Sequence, residues 1–314
     1  MAQYILHRLM QMVVVLLVLS LFCFFLLHSL PGNPVLTILG EDATQEEITQ
    51  LTQELGLDRP LPVQYFSWLG GVVQGDLGRS IIYREDVADM IINRLPPTLH
   101  IGIFAFIISV IVGVPMGIMA AVKRGGWIDG FITTTANFAM AIPNFWLGIL
   151  GIYLFSLTLG WLPVQGYVSP TEDFWASTKY VLMPSLVLGL SSMAILARQA
   201  RSSMLEIIRQ DYIRTARSKG IKQKIIIFKH ALRNAIIPVV TLAGLMLPNI
   251  VGGSVIIEQV FNINGLGRLL LQAVFNQDIV VVQGCLILIT VTVALANLLV
   301  DISYNYIDPR IRYK

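Results

Sequence analysis

The groups in this sequence that are able to carry catalytic chemistry are few and poorly placed for it. Hydrolysing ATP requires a glycine-rich loop ending in Gly-Lys-Ser or Gly-Lys-Thr, whose backbone amides and lysine cradle the phosphates. No Gly-Lys dipeptide occurs anywhere in the chain. A serine nucleophile needs a base beside it, but Ser254 lacks a GxSxG setting, and His7, His28, His100 and His230 fall in loops or at the ends of apolar runs. No two histidines have metal-ligand spacing. Cys23 and Cys285 stand alone inside apolar stretches, as packed small hydrophobes rather than a metal pair or a disulfide framework. What remains is a set of polar groups embedded in apolar sequence: Asn137, Asn144, Glu258 and Asp301, with Pro143 interrupting the run that holds the two asparagines. Such groups are expensive at membrane depth and are by default candidates for a pathway or gate. Glu258 and Asp301 lie near run ends, where interfacial water and snorkelling offer them a purely structural role.

The elements that must position these groups are membrane spans. Of 314 residues, 55% are hydrophobic and only 13% charged, and the mean hydropathy is +0.71, whereas a soluble domain is about 25% charged. Six runs are long enough to cross a bilayer of roughly 30 Å: Leu9 to Leu30, Thr98 to Ala121, Phe131 to Leu159, Tyr180 to Ala197, Ile236 to Ile257 and Ile279 to Val300. The first is too long for the apolar core of a cleaved signal, and no small-x-small site follows it. Pro238 and Pro248 disturb the fifth run. Gly113 and Gly117 form a GxxxG in the second, which predicts close helix packing.

Charge placement sets the orientation. Sixteen of the 22 Lys and Arg fall on alternate sides of the six runs: Arg8, Lys123 and Arg124, ten between Arg198 and Arg233, and Arg310, Arg312 and Lys314. Short basic loops stay in the cytoplasm, so both termini and the Arg198 to Arg233 loop are expected there. Residues 31–97, which hold most of the acids, are expected outside, with a helix over Ala43 to Leu55. The loop from Gly160 to Lys179, with Trp161, Pro163 and Trp175, is expected to cap the membrane surface. The division that follows is a tail and first span over 1–30, an extracytoplasmic segment over 31–97, and a core over 98–314 containing the loop 198–235.

That loop is helical in pattern on both sides of Gly220. Tyr212 to Lys219 forms a short basic helix, and Ile221, Ile225, Phe228 and Leu232 recur on one face after the turn. The pattern suits either a docking element for another protein or an interfacial helix lying on anionic lipid.

The run from Asp211 through Gly220, followed by Lys229-His-Ala-Leu-Arg-Asn-Ala-Ile-Ile-Pro238, resembles the EAA loop of ABC importer permeases in its peptide-importer form. Arg214-Thr215-Ala216 stands at E-A-A, Gly220 at the glycine, and His230, Leu232 and Arg233 at the I, L and P of the closing motif. The resemblance extends through Leu30-Pro-Gly-Asn-Pro34, Leu55-Gly-Leu-Asp58, Gly75-Asp-Leu-Gly78 with Ser80, Ile142-Pro-Asn-Phe-Trp-Leu-Gly148, Gly265-Leu-Gly267 and Asp308-Pro-Arg-Ile-Arg312. Asn264 stands where that family usually has Pro.

The resemblance implies an all-α membrane protein with six transmembrane helices in the type I ABC importer permease fold, acting as the first membrane subunit of the dipeptide, oligopeptide or nickel group. It also implies a second homologous permease, two ATP-binding cassette subunits that hold ATP and Mg, and an extracytoplasmic solute-binding protein, with no cofactor or nucleic acid on this chain. The site residues it implies are a coupling loop of Arg214, Thr215, Ala216, Lys219, Gly220, His230 and Leu232. Asn137, Pro143, Asn144 and Glu258 are the pathway or gate residues read above. Peptides, glutathione and nickel or its chelates all fit as solutes. A self-sufficient secondary transporter is the alternative of a different class.

Overall fold

A computed structural model describes residues 2–28, 35, 39–40, 43–54, 56–248 and 252–307. The Leu30 to Pro34 and Asp308 to Arg312 blocks, Glu41, Asp42 and the side chain of Asp301 lie outside the described residues or side chains. Among the described residues the structure is helical, with one isolated antiparallel bridge, Arg79 to Asp86. Among the described residues five helices are long and apolar enough to cross a membrane, and a sixth crossing follows if a sharply bent pair is one span. The chain divides into two compact units: Met1–Pro96 with Asn264–Ala294, and Pro97–Ile263 with Leu295–Lys314.

In the first unit, helix α1 (Ala2–His28) meets α3 (Leu61–Val73) through aromatics: the Phe24 and Tyr65 rings cross edge to face with centroids 5.4 Å apart, and Ser20 Oγ lies 2.9 Å from the Tyr65 hydroxyl. The shared hydrogen bond satisfies two polar groups that would otherwise be costly in apolar surroundings. Between them, α2 (Gln45–Glu54) opens on a reciprocal cap. The Thr44 amide donates to Glu47 Oε2 at 2.9 Å, and the Glu47 amide donates to Thr44 Oγ1 at 3.4 Å. The Thr44 donors hold the Glu47 carboxyl below its ordinary range, so the cap is complete above that range and is lost as the carboxylate takes up a proton in acid.

The Gly75 to Ser80 block turns on two left-handed glycines, Gly75 (φ +87°) and Gly78 (φ +83°). Its end is fixed by Asp278, fully buried before α12 (Ile279–Ile307), which accepts hydrogen bonds from Ser80 Oγ and from the amides of Ile82 and Val281. Helix α11 (Leu266–Phe275) completes this unit.

The second unit contains most of α4 (Val87–Val122), then α5 (Trp127–Ala141), α6 (Asn144–Thr158, with a π turn from Ile152), α7 (Phe174–Ile208), α8 (Asp211–Ser218), α9 (Gln223–Met246) and α10 (Val255–Val260). The third expected span is the bent pair, with α5 and α6 meeting at 103°. The cause is Pro143: a residue before proline is driven out of the helical region, and Ile142 accordingly sits at φ −92°, ψ 130°. Helix α7, whose first turn is capped by Asp173 Oδ1 accepting the amides of Trp175 and Ala176, has 35 residues, a length of roughly 52 Å that exceeds a hydrocarbon core of about 30 Å.

The fifth span departs from its expected limits. The apolar helix is Gln223–Met246 rather than Ile236 to Ile257, so the amphipathic segment after Gly220 and the span are one helix. Hydropathy marks where a helix is apolar, not where its backbone ladder starts, and no breaker other than Pro238 interrupts this one.

Candidate functional site

The best-defined polar loop of the second unit is built around α8. It is eight residues long, shorter than a helix that holds itself together in water, so its stability must come from its neighbours and its ends. Ile213 (0% exposed) and Ala216 supply the buried face, packing with Ala121, Met204, Ile226, Ile227, Ala231 and Ala235; Leu232 and Ile221 cover the edge. The C-terminal end is closed by a pair of hydrogen bonds, Gly220 N–H to Arg217 O at 3.0 Å and Ile221 N–H to Ala216 O at 3.3 Å. This is the Schellman arrangement, which requires a left-handed residue at the glycine position, and Gly220 has φ +73°. Ala216 thus serves twice, as a core residue and as the carbonyl that closes the cap.

The opposite face is open. Arg214, Thr215, Lys219 and Gly220 are exposed. Thr215 Oγ1 donates to Asp211 O at 3.0 Å, and Arg214 lies 3.5 Å from Asp211 in a solvent-exposed pair that adds little stability. His230 is half-buried in a π turn, Ile226–Ala231, at the start of α9. Asn234 Nδ2 donates to the Tyr212 hydroxyl at 2.9 Å, tying α8 to α9. The loop therefore presents a basic, preformed knob whose shape is set by Gly220 and whose foundation is the end of α7.

Asn144, Asn137 and Glu258 are found elsewhere in the same unit, each with a hydrogen-bond partner. Asn144 begins α6 immediately after Pro143 and its Oδ1 accepts from Ser191 Oγ at 3.1 Å. It lines a cavity of about 240 Å³ together with Ser109, Ser191, Ser192, Phe106 and Met246. Asn137 Oδ1 accepts from Arg198 Nη2 at 3.0 Å. Glu258 is completely buried and its Oε1 accepts from Thr98 Oγ1 at 2.7 Å and Ser254 Oγ at 2.8 Å, joining α10 to α4. Among the described residues no group of His, Cys, Asp or Glu is placed to hold a metal.

Two further contacts stand outside the sequence expectations. Ser254 carries no hydrolase signature, and its hydrogen bond to Glu258 is local, at i and i+4. The second, an ion pair of Asp129 with Arg201 at 2.6 Å, joins residues 72 positions apart and leaves no trace in spacing.

The chain as a whole is similar to known proteins. A chain of the MetNI methionine ABC transporter, solved in inward-facing conformations, aligns over 70% of this chain and 96% of its own length, with a TM-score of 0.54 at 20% identity. The fold is that of a type I ABC importer permease. The oligopeptide transport system permease protein AppB of Bacillus subtilis (strain 168) is 39% identical over the full length of both chains. The glutathione transport system permease protein GsiC of Escherichia coli O6:H1 is 42% identical, again over the whole of both. The pattern of binding-protein-dependent transport system inner membrane components matches residues 113–313, which hold the α8 knob and the broken span, and that of their N-terminal part matches residues 1–102; the chain belongs to that family.

Proposed function

We propose that this chain is one of two homologous membrane subunits of an ATP-driven importer of short peptides, with its α8 loop as the contact that couples it to cassette ATPases. The observation that carries the proposal is the α8 knob, with an apolar face sunk into the unit's core, a Schellman-capped end and a basic outer face. The substrate class follows from the relatives: one is named for oligopeptides and the other for glutathione, itself a tripeptide. The nucleotide and its Mg would be held by the partner subunits, and an external binding protein would deliver the peptide.

In this reading the exposed Arg214, Thr215 and Lys219 meet the cassette, Ala216 and Leu232 anchor the loop, Gly220 sets its turn, and His230 borders it. Asn144, at the break made by Pro143, borders the pathway beside the serine-lined cavity. Asn137 supports the same seam, and Glu258 latches the far end of the core. Residues 31–97 form the extracytoplasmic segment, and 98–314 the permease core.

The orientation gives a direct prediction. A cysteine at Lys224, in a background lacking Cys23 and Cys285, is expected to react with a membrane-impermeant maleimide only from the cytoplasmic side, and one at Glu47 only from outside. Both side chains are exposed, so accessibility within the subunit is not limiting. Labelling from the reverse sides would invert the topology and place α8 away from any cytoplasmic ATPase.

The function itself is tested by tagging the chain in its native host, extracting it in mild detergent and identifying stoichiometric partners by mass spectrometry. The purified assembly is then reconstituted and assayed for ATP-dependent uptake of labelled dipeptides, tripeptides and glutathione. Recovery of a second permease and cassettes, with uptake, is the expected result. A chain that purified alone and moved a solute without ATP would overturn the proposal in favour of a secondary transporter.

A further inference from the structure

The end of α7 is gripped on two sides. On one side the grip is steric: a Cβ on Gly117 would lie 2.1 Å from Ala197 O, one on Gly113 2.6 Å from Met193 O, and one on Gly189 2.7 Å from Ala105 O. The backbones of α4 and α7 therefore approach closely at these glycines, with no room for a side chain between them. On the other side the grip is polar. Arg201 Nε and Nη2 donate to Asp129 Oδ1 and Oδ2 at 2.6 and 2.9 Å, the two-pronged geometry that guanidinium gives with a carboxylate. The Asp129 side chain is only 9% exposed, and it also accepts from the Gly125 amide at 3.0 Å and Thr133 Oγ1 at 3.3 Å. One turn back on α7, Arg198 Nη2 reaches Asn137 Oδ1 at 3.0 Å and Met140 Sδ at 2.9 Å. Two arginines of α7 thus hold α5 near both of its ends.

Helix α7 then continues to Ile208 and turns into α8, and its Met204, fully buried, shares a core with Ile213 and Ala216 of α8. A displacement applied at α8 passes through that core to α7, and from α7 to α5 through the arginines. Beyond α5 the chain bends by 103° at Ile142 and Pro143, where proline supplies no amide to continue the ladder.

We infer that Asp129 and Arg201 are positioning residues for transport: their ion pair makes α5 move with the coupling loop, so that motion delivered to α8 is expressed at the Pro143 bend. The inference rests on the proposed role of α8 as the cassette contact. It assigns a transmission function to a bidentate, part-buried contact that a merely local brace would not need to align with the α7 stem.

The test uses the complete importer, reconstituted with its cassettes and binding protein. ATP hydrolysis and peptide uptake are measured separately, and retention of the cassettes is scored by pull-down. Asp129→Asn and Arg201→Gln are each expected to retain cassettes and ATP hydrolysis while losing uptake by about tenfold, within the usual range of coupling effects. The exchanged pair, Asp129→Arg with Arg201→Asp, is expected to recover only part of the uptake, because an arginine at 129 cannot accept from the Gly125 amide and Thr133 Oγ1, and Arg201→Lys, which keeps the charge without the fork, is expected to exceed Arg201→Gln. Uptake at the wild-type rate in both single variants would overturn the inference. So would parallel loss of assembly, hydrolysis and uptake without recovery in the exchanged pair, which marks a folding contact. A wild-type complex with no ATP-driven uptake overturns the proposed function, and this inference falls with it.

Discussion

Replacing Gly220 with valine is expected to leave the chain inserted in the membrane and to reduce ATP-driven uptake by about tenfold or more, with ATP hydrolysis by the cassettes persisting. The reason is conformational rather than steric. A Cβ added at Gly220 meets nothing within 4 Å, so no clash arises, but φ is +73°. A side chain there costs roughly 1–2 kcal/mol, with a β-branched one at or above the upper end. A cost of about 2 kcal/mol shifts the capped and uncapped populations by roughly 30-fold. The same helix has only eight residues and draws its order from the cap and from Ile213 and Ala216, so no reserve of local stability absorbs the loss. Swinging a permease from 1:99 to 99:1 between two states requires about 5.5 kcal/mol of differential interaction, and under the proposed coupling role of α8 a loop that spends part of its time uncapped would deliver less of it. Gly220→Asn separates strain from size: asparagine tolerates the left-handed region and adds a larger side chain than alanine, yet it is expected to keep most of the uptake. Equal loss in Asn and Val variants would mean that the open space above Gly220 is filled by the partner and that bulk, not φ, is what matters there.

How far such residues were visible beforehand depends on the range of the interaction that fixes them. Gly220 was legible because a lone glycine between two helical patterns announces a turn, and the turn is local. The bend in the third span was legible for the same reason, since Pro143 acts on the residue before it. Gly113 and Gly117, four apart on one helix face, announced a close approach, though not that the partner would be α7. The failures are non-local. Asp129 and Arg201 are separated by 72 residues, Thr98 and Glu258 by 160, and Ser80 and Asp278 by 198; no periodicity connects them. Asn137 and Asn144 stand out in sequence because polar groups in apolar runs are costly, and that cost is met by Arg198 and Ser191 on another helix, which a single run of sequence does not show. The grouping of Asn264–Ala294 with the first 96 residues is hidden in the same way. The fifth span starts outside its apolar run because hydropathy reports apolarity and not helix limits; its helix begins at Gln223, in amphipathic sequence thirteen residues before Ile236.

Alanine at Gly117 is expected to be among the most destabilising single-methyl changes in the protein, while alanine at Gly130 is expected to stabilise it. Both glycines lie within helices of the second unit, so intrinsic propensity favours alanine at each by about 0.8–1.0 kcal/mol. Their surroundings are opposite. At Gly130 a Cβ meets nothing within 4 Å, and propensity decides the sign. At Gly117 the Cβ would stand 2.1 Å from Ala197 O, 2.8 Å from Ala200 Cβ and 2.9 Å from Ala197 C. Two of these atoms are backbone, so no rotamer change relieves the contact, and α4 must separate from α7. Inserting a methylene into a packed core costs typically 1–3 kcal/mol; parting two helices gives up the neighbouring contacts as well, which places Gly117→Ala at or beyond the top of that range. The measurement is the thermal midpoint of the detergent-purified chain or its assembly. A fall for Gly117→Ala with a rise for Gly130→Ala fits the close crossing, and Gly117→Leu is expected not to accumulate in the membrane at all. Comparable midpoints for the two alanine variants would show that α4 and α7 have room between them. The steric half of the grip on α7 would then be lost, and the polar half, through Arg198 and Arg201, would have to hold the helix alone.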